Sequence, residues 1–329
     1  MTAFDASGNT VAQTRLRATV VIAALVVCIA MGVVSSCSVG DDVKGHPRTG
    51  QRSQVIAITG IWADIISSVS CGRIPVESLI PAGADTHDLE VSIQSANDLL
   101  GAEVVFANGL GLDTALLPTL ERARESGVDV VDLGAHLLGD LKPIEGDPHV
   151  WMDPGRVRAL VPMIASQLSA LDLMDEADLT QCAESYTASL EALVKEMESV
   201  LDPVPVKMRQ LVSEHHNLGY FAERFDFSVL GVMNAAPGSL SETDPRHLDE
   251  LADSMLSAGI TTVFVESGEG HHGAETFVKD LGVRGVVVPL YIENPPRRSA
   301  DDAPAGPEDA EYVSMMLTNA QRIARALQK

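Results

Sequence analysis

The chain has 329 residues, with 46 acidic against 23 basic side chains and a formal charge of −23 at pH 7. That balance excludes a nucleic-acid partner, whose phosphates require a basic face. Four cysteines with no CxxC pair argue against a thiolate metal site or a thioredoxin-like centre.

Arg15 and Arg17 precede the apolar run TVVIAALVVCIAMGVV, and Val34-Ser35-Ser36-Cys37 follows. This is the charged, apolar, small-residue order of an export signal. The run from Thr19 to Val34 is shorter than the ~20 residues that a spanning helix needs. Cys37 after small residues resembles a bacterial lipobox, so residues 1–36 are expected to be a lipoprotein signal peptide. Cys37 would then carry the acyl anchor that holds the chain at the extracytoplasmic face of the cell membrane. Residues 37–53 lack apolar periodicity and read as a tether. The rest is long enough for two lobes at the usual ~100–200 residues per domain.

Short β-branched runs follow at Val55 to Ile58, Val76 to Ile80, Val104 to Phe106 and Val128 to Leu133, with helical stretches at Ser92 to Leu100 and Ala115 to Glu125. Continuous apolar runs bounded by turn residues suit parallel strands buried on both faces. Asp153-Pro154 opens a further helix with Pro162 in its interior, where a kink is expected. Between Leu179 and Val200 there is no Gly or Pro, while Leu190, Leu193, Val194, Met197 and Leu201 keep helical spacing. Pro203 and Pro205 stop that element. A second strand series begins at Gln210 and continues at Val229, Val263 and Val286, with Asp244-Pro245 and Gly259 bounding a helix between them. The expected fold is α/β: two lobes with mainly parallel sheets, 54–175 and 202–329, joined by one long rigid helix over 176–201, with a metal site between the lobes.

Four element ends carry metal donors. His87 lies in PAGADTHDLE, His149 in GDPHVWMDP, His215 in VSEHHNLGYF and Glu293 in VVVPLYIEN. Three imidazoles and one carboxylate complete a four-coordinate zinc-type set. Near His149, a carboxylate such as Asp147 or Asp153 is placed to take the second ring N–H and fix the tautomer. Glu293 ends a β-branched run at the carboxyl edge of a sheet, where ligands gather in open α/β folds. Glu266, after the strand TTVFV, is the alternative carboxylate. His216 points about 100° away from its neighbour in a helical start and reads as solvated. The pair His271-His272 reads as a polar loop entering a helix.

PAGADTHDLE, AEVVFANGLGLD, DPHVWMDP, SEHHNLGYFAERF and YVSMMLTNAQRIARALQK together resemble the solute-binding lipoproteins of bacterial zinc and manganese ABC importers. The match runs in order from residue 54 to the end. It implies two α/β lobes on a rigid helix, a metal ion held between them, and delivery to a permease and its ATPase by a monomer. It also places ligands at His87, His149 and His215. The family's fourth ligand is usually Asp, where this chain has Glu293. The long His-rich loop of many zinc members is absent here, since GAHLLGDLKPIEGDPH offers only His136 before His149.

The expected function is therefore capture and delivery of Zn²⁺, with Mn²⁺ the alternative, and no catalysis. A zinc hydrolase would need an open position and a general base, and neither HExxH nor GxSxG is present. A surface adhesin is the third reading, but no partner-binding apolar patch marks it. With Cys28 inside the leader and Cys37 expected to carry the acyl anchor, only Cys71 and Cys182 remain. An oxidising compartment permits a bridge if their Cα atoms lie within roughly 7 Å, a distance that the sequence does not give.

Overall fold

The computed structural model describes residues 54–80, 92–138, 142–234, 244–268, 270–293, 295 and 311–328. His87 and Cys37 lie outside these described residues. Two four-stranded parallel sheets organise the chain. The first holds β1 (Val55–Ala57), β2 (Val76–Ser78), β3 (Val104–Ala107) and β4 (Asp129–Asp132) in the order β2-β1-β3-β4. The second repeats this pattern with β5 (Gln210–Ser213), β6 (Ser228–Val232), β7 (Thr262–Glu266) and β8 (Val286–Leu290), ordered β6-β5-β7-β8. The expected pair of parallel-sheet lobes is thus borne out.

The strands read as unbroken apolar runs because helices cover both faces. In β1, Val55 and Ala57 face one core while Ile56 and its follower Ile58 face another. Val104 and Phe106 of β3 join the first of these, and Val105 and Ala107 the second. Helices α1 (Gly60–Val69), α2 (Ile93–Leu100), α3 (Leu117–Glu125) and α4 (Leu133–Leu138) belong to this lobe. In the second lobe α7 (Gly219–Phe225), α8 (Pro245–Ala258) and α9 (His272–Asp280) alternate with the strands.

Two helices separate the sheets in sequence. Asp153 caps α5 (Pro154–Ser169), accepting the N–H of Gly155 at 2.8 Å, and Pro154 starts it with a preset φ. The helix runs through Pro162 to its end. Asp175 then caps α6 (Glu176–Leu201), 26 residues and roughly 39 Å at 1.5 Å per residue. Its buried stripe includes Leu179, Tyr186, Leu190, Leu193, Met197 and Leu201. These side chains lie in one continuous core shared by residues of both sheets.

The C-terminal helix α10 (Glu311–Leu327) follows the second sheet in sequence but packs on α6 and α1 as well as on β8. Asp64 of α1 accepts the N–H groups of Glu311 and Tyr312, at 3.3 and 2.9 Å. A carboxylate from the first lobe therefore satisfies the amino end of the last helix, a position where negative charge is favoured. Cys71, just beyond α1, is bridged to Cys182 of α6, with Cα atoms 5.5 Å apart. Arg73 pairs with Asp178 of α6 at 2.7 Å beside that bridge.

Candidate metal centre

His149 sits in a short 3₁₀ approach, with Pro148 before it and Val150–Met152 after it. Asp147 Oδ1 accepts the backbone N–H of His149 and faces its Nδ1, both at 2.9 Å. The carboxylate holds the ring by one nitrogen and leaves Nε2 facing Glu293, the arrangement that orients metal-binding imidazoles elsewhere. From the end of β3, the Asn108 amide donates to Pro148 O at 3.1 Å, and Trp62 Nε1 donates to Asn108 Oδ1 at 2.8 Å. The first sheet thus fixes the turn that carries His149. Trp151 lies edge-on to the imidazole, with ring centroids 5.2 Å apart.

The second lobe supplies two more donors beyond the carboxyl ends of its strands. His215 follows β5, where Ser213 Oγ donates to its carbonyl at 2.7 Å. Glu293 follows β8 and is almost fully buried. Its Oε1 lies 3.3 Å from His149 Nε2 and 3.6 Å from His215 Nε2, and the two imidazole rings are 5.3 Å apart. A tetrahedral ion with bonds of ~2.1 Å separates its ligand atoms by about 3.4 Å. One carboxylate oxygen therefore stands at the right spacing from both nitrogens to share a metal with them. Among the described residues, this is the one group of three His, Cys, Asp or Glu whose ligand atoms converge within 4.8 Å.

The metal-free electrostatics fit such a site. Burial alone would lower the His149 pKa, but the hydrogen bonds and charges of Asp147 and Glu293 win and push it up to about 9. Burial would raise Asp147, yet its contacts with His149 and the N–H of Gly219 hold it below the usual carboxylate range. A proton on His149 Nε2 would face Glu293 Oε1, in the place of a cation shared by the two.

Glu266 ends β7 but does not join the donor group. Its Oε2 instead accepts the backbone N–H groups of Ile292 and Glu293, at 3.0 and 3.1 Å. His216 is half-buried in the bend before α7, and His272 is exposed beside Glu275 at 3.5 Å; neither reaches the group. The sequence alone did not reveal Asn217, whose amide lies 3.4 Å from His215 Nε2, or Asn319, which binds the chain at Tyr291. Asn319 left one trace: a polar residue in phase with Met315, Met316 and Ile323 on an otherwise apolar helix face.

Over residues 55–326 the sequence matches the family described as zinc-uptake complex component A, periplasmic. It is 25% identical over 322 residues to the manganese ABC transporter substrate-binding lipoprotein PsaA of Streptococcus anginosus, covering 93% of this chain and 98% of that one. The zinc-binding protein TroA of Treponema pallidum is likewise 25% identical, over 91% of this chain and 96% of its own length. Among solved structures, the periplasmic zinc binding protein TroA shares the fold with a TM-score of 0.71 at 24% identity, covering 84% of this chain and 99% of that one. A Mn-bound periplasmic metal binding protein from Candidatus Liberibacter asiaticus does so with 0.68 at 21%, over 83% and 98%.

Proposed function

The chain belongs to the family of periplasmic zinc-uptake component A, the solute-binding proteins of zinc and manganese ABC importers, and on that premise we propose that it captures Zn²⁺ and presents it to a membrane permease with its ATPase. His149, His215 and Glu293 are the ligands in this reading, with His87 the fourth donor. The observation that carries it is the placement of Glu293 Oε1 against His149 Nε2 and His215 Nε2, at 3.3 and 3.6 Å. His149 precedes the long helix α6 and the other two follow it, so the ion would sit between lobes.

Donor chemistry favours zinc. Imidazole-rich, four-coordinate sites suit Zn²⁺, whereas Mn²⁺ prefers more oxygen donors and higher coordination. The family is named for a component of an uptake complex, which supports binding and transfer rather than catalysis. A lipid anchor on Cys37 and action as a monomer at the extracytoplasmic face complete the proposal. Metal analysis of protein purified without chelator or affinity tag should find one zinc per chain. Growth of a strain lacking the protein, in metal-depleted medium, should be rescued by zinc. Rescue by manganese and not by zinc would overturn the choice of ion.

A further inference from the structure

We infer that Glu266 is the positioning residue of this site: it fixes the backbone that aims Glu293, and it is not itself a ligand. The inference rests on the metal-site reading of His149, His215 and Glu293. The ladder between β7 and β8 ends where Ser267 N–H donates to Leu290 O at 2.7 Å. Beyond that bond the described residues that hold the chain do so through side chains. Asn319 of α10 accepts the N–H of Tyr291 at 2.9 Å and donates to its carbonyl at 2.5 Å. Trp151, two residues from His149, donates to Ile292 O at 2.8 Å. Glu266 Oε2 takes the next two N–H groups, those of Ile292 and Glu293. The segment that carries the carboxylate is thus held from three directions before any metal arrives.

Placing the Glu266 carboxylate at 3% exposure is costly unless its oxygens are bonded. Two consecutive backbone donors supply such bonding, and an acceptor of this reach is what the segment requires. Partners that orient ligands in this way typically affect metal affinity by 10–100-fold.

Two conservative substitutions separate the roles. Glu266→Gln keeps the length and a carbonyl acceptor but loses the charge; Glu266→Asp keeps the charge but withdraws the acceptor by a methylene. A positioning role predicts Zn²⁺ affinity within about threefold of wild type for Glu266→Gln and a loss of ~10-fold or more for Glu266→Asp. The measurement is competition against a chromophoric chelator, with the visible spectrum of the Co²⁺-loaded protein reporting ligand geometry. That spectrum should change in Glu266→Asp and be preserved in Glu266→Gln. A ligand role reverses the order, since Asp remains a metal donor and Gln gives up the anion. Equal losses in both variants, or none in either, likewise overturn the proposal. Glu293→Gln measured beside them keeps the two readings apart: full affinity in that variant overturns the metal site itself.

Discussion

Asp147 joins the two halves of the site: its Oδ1 holds His149, while its Oδ2 accepts the backbone N–H of Gly219 at 2.7 Å. Gly219 opens α7, four residues after His215, so one carboxylate spans the turns that carry both imidazoles. A Cβ at Gly219 would lie 2.8 Å from that same Oδ2, so a larger residue there would displace the carboxylate.

Asp147→Ala removes the hydrogen bond that fixes the His149 tautomer and the tie to the second lobe. Zn²⁺ affinity should fall ~10–100-fold, the usual effect of losing such a partner. Chelator competition checks it; unchanged affinity would mean that His149 needs no orienting carboxylate.

The raised His149 pKa has a signed consequence. Its folded value of about 9 exceeds the ordinary 6.5, so its contribution to the stability of the metal-free fold is complete below pH 6.5. That contribution disappears as pH rises through about 9. Metal binding must displace the proton, so affinity should increase with pH across this window and about one proton should leave per ion at pH 7.5. Calorimetry in buffers of different ionisation enthalpy measures that proton directly. A binding enthalpy independent of the buffer would contradict the prediction.

The Cys71–Cys182 bridge closes a separation of 111 residues. Chain-entropy arguments give such a loop roughly 4–5 kcal/mol. Cys71→Ser in the exported protein should lower Tm by on the order of 10 °C for a chain of this size. Metal affinity should stay within a few-fold, because neither cysteine touches His149, His215 or Glu293. Thiol labelling of denatured, unreduced wild type should find neither Cys71 nor Cys182 reactive.

Asp64→Ala tests how the last helix is held. Without its acceptor at Glu311 and Tyr312, α10 loses its amino-terminal partner at a cost of about 1 kcal/mol. Thermal unfolding should shift by a few degrees, on the order of 2–4 °C. No shift would mean that solvent replaces the carboxylate without loss.

Much of the fold is legible because parallel strands buried on both faces leave continuous apolar runs, as Val55 to Ile58 does. His149, His215 and Glu293 stand out because turn residues set them at element ends. What the sequence hides depends on distance through space. The reach of Asp64 to Tyr312 crosses 248 positions, and Glu266 bonds a backbone 26 positions on. A buried acid in a strand run reads equally well as ligand or support until its oxygens are seen. The cysteine pair was open for the same reason: bridging turns on a Cα separation, here 5.5 Å, that spacing along the chain does not encode.

His149, His215 and Glu293 are expected to hold one divalent metal ion together. Zn²⁺ titration against a competing chelator, in wild type and in His149→Ala, His215→Ala and Glu293→Ala, tests it most directly. Closed zinc sites in small peptides are worth ~10–16 kcal/mol, so each lost donor should cost a few kcal/mol, on the order of a hundredfold or more in affinity. One ion per chain is expected in wild type, and that loss in every variant. Near-wild-type affinity in His149→Ala would contradict it.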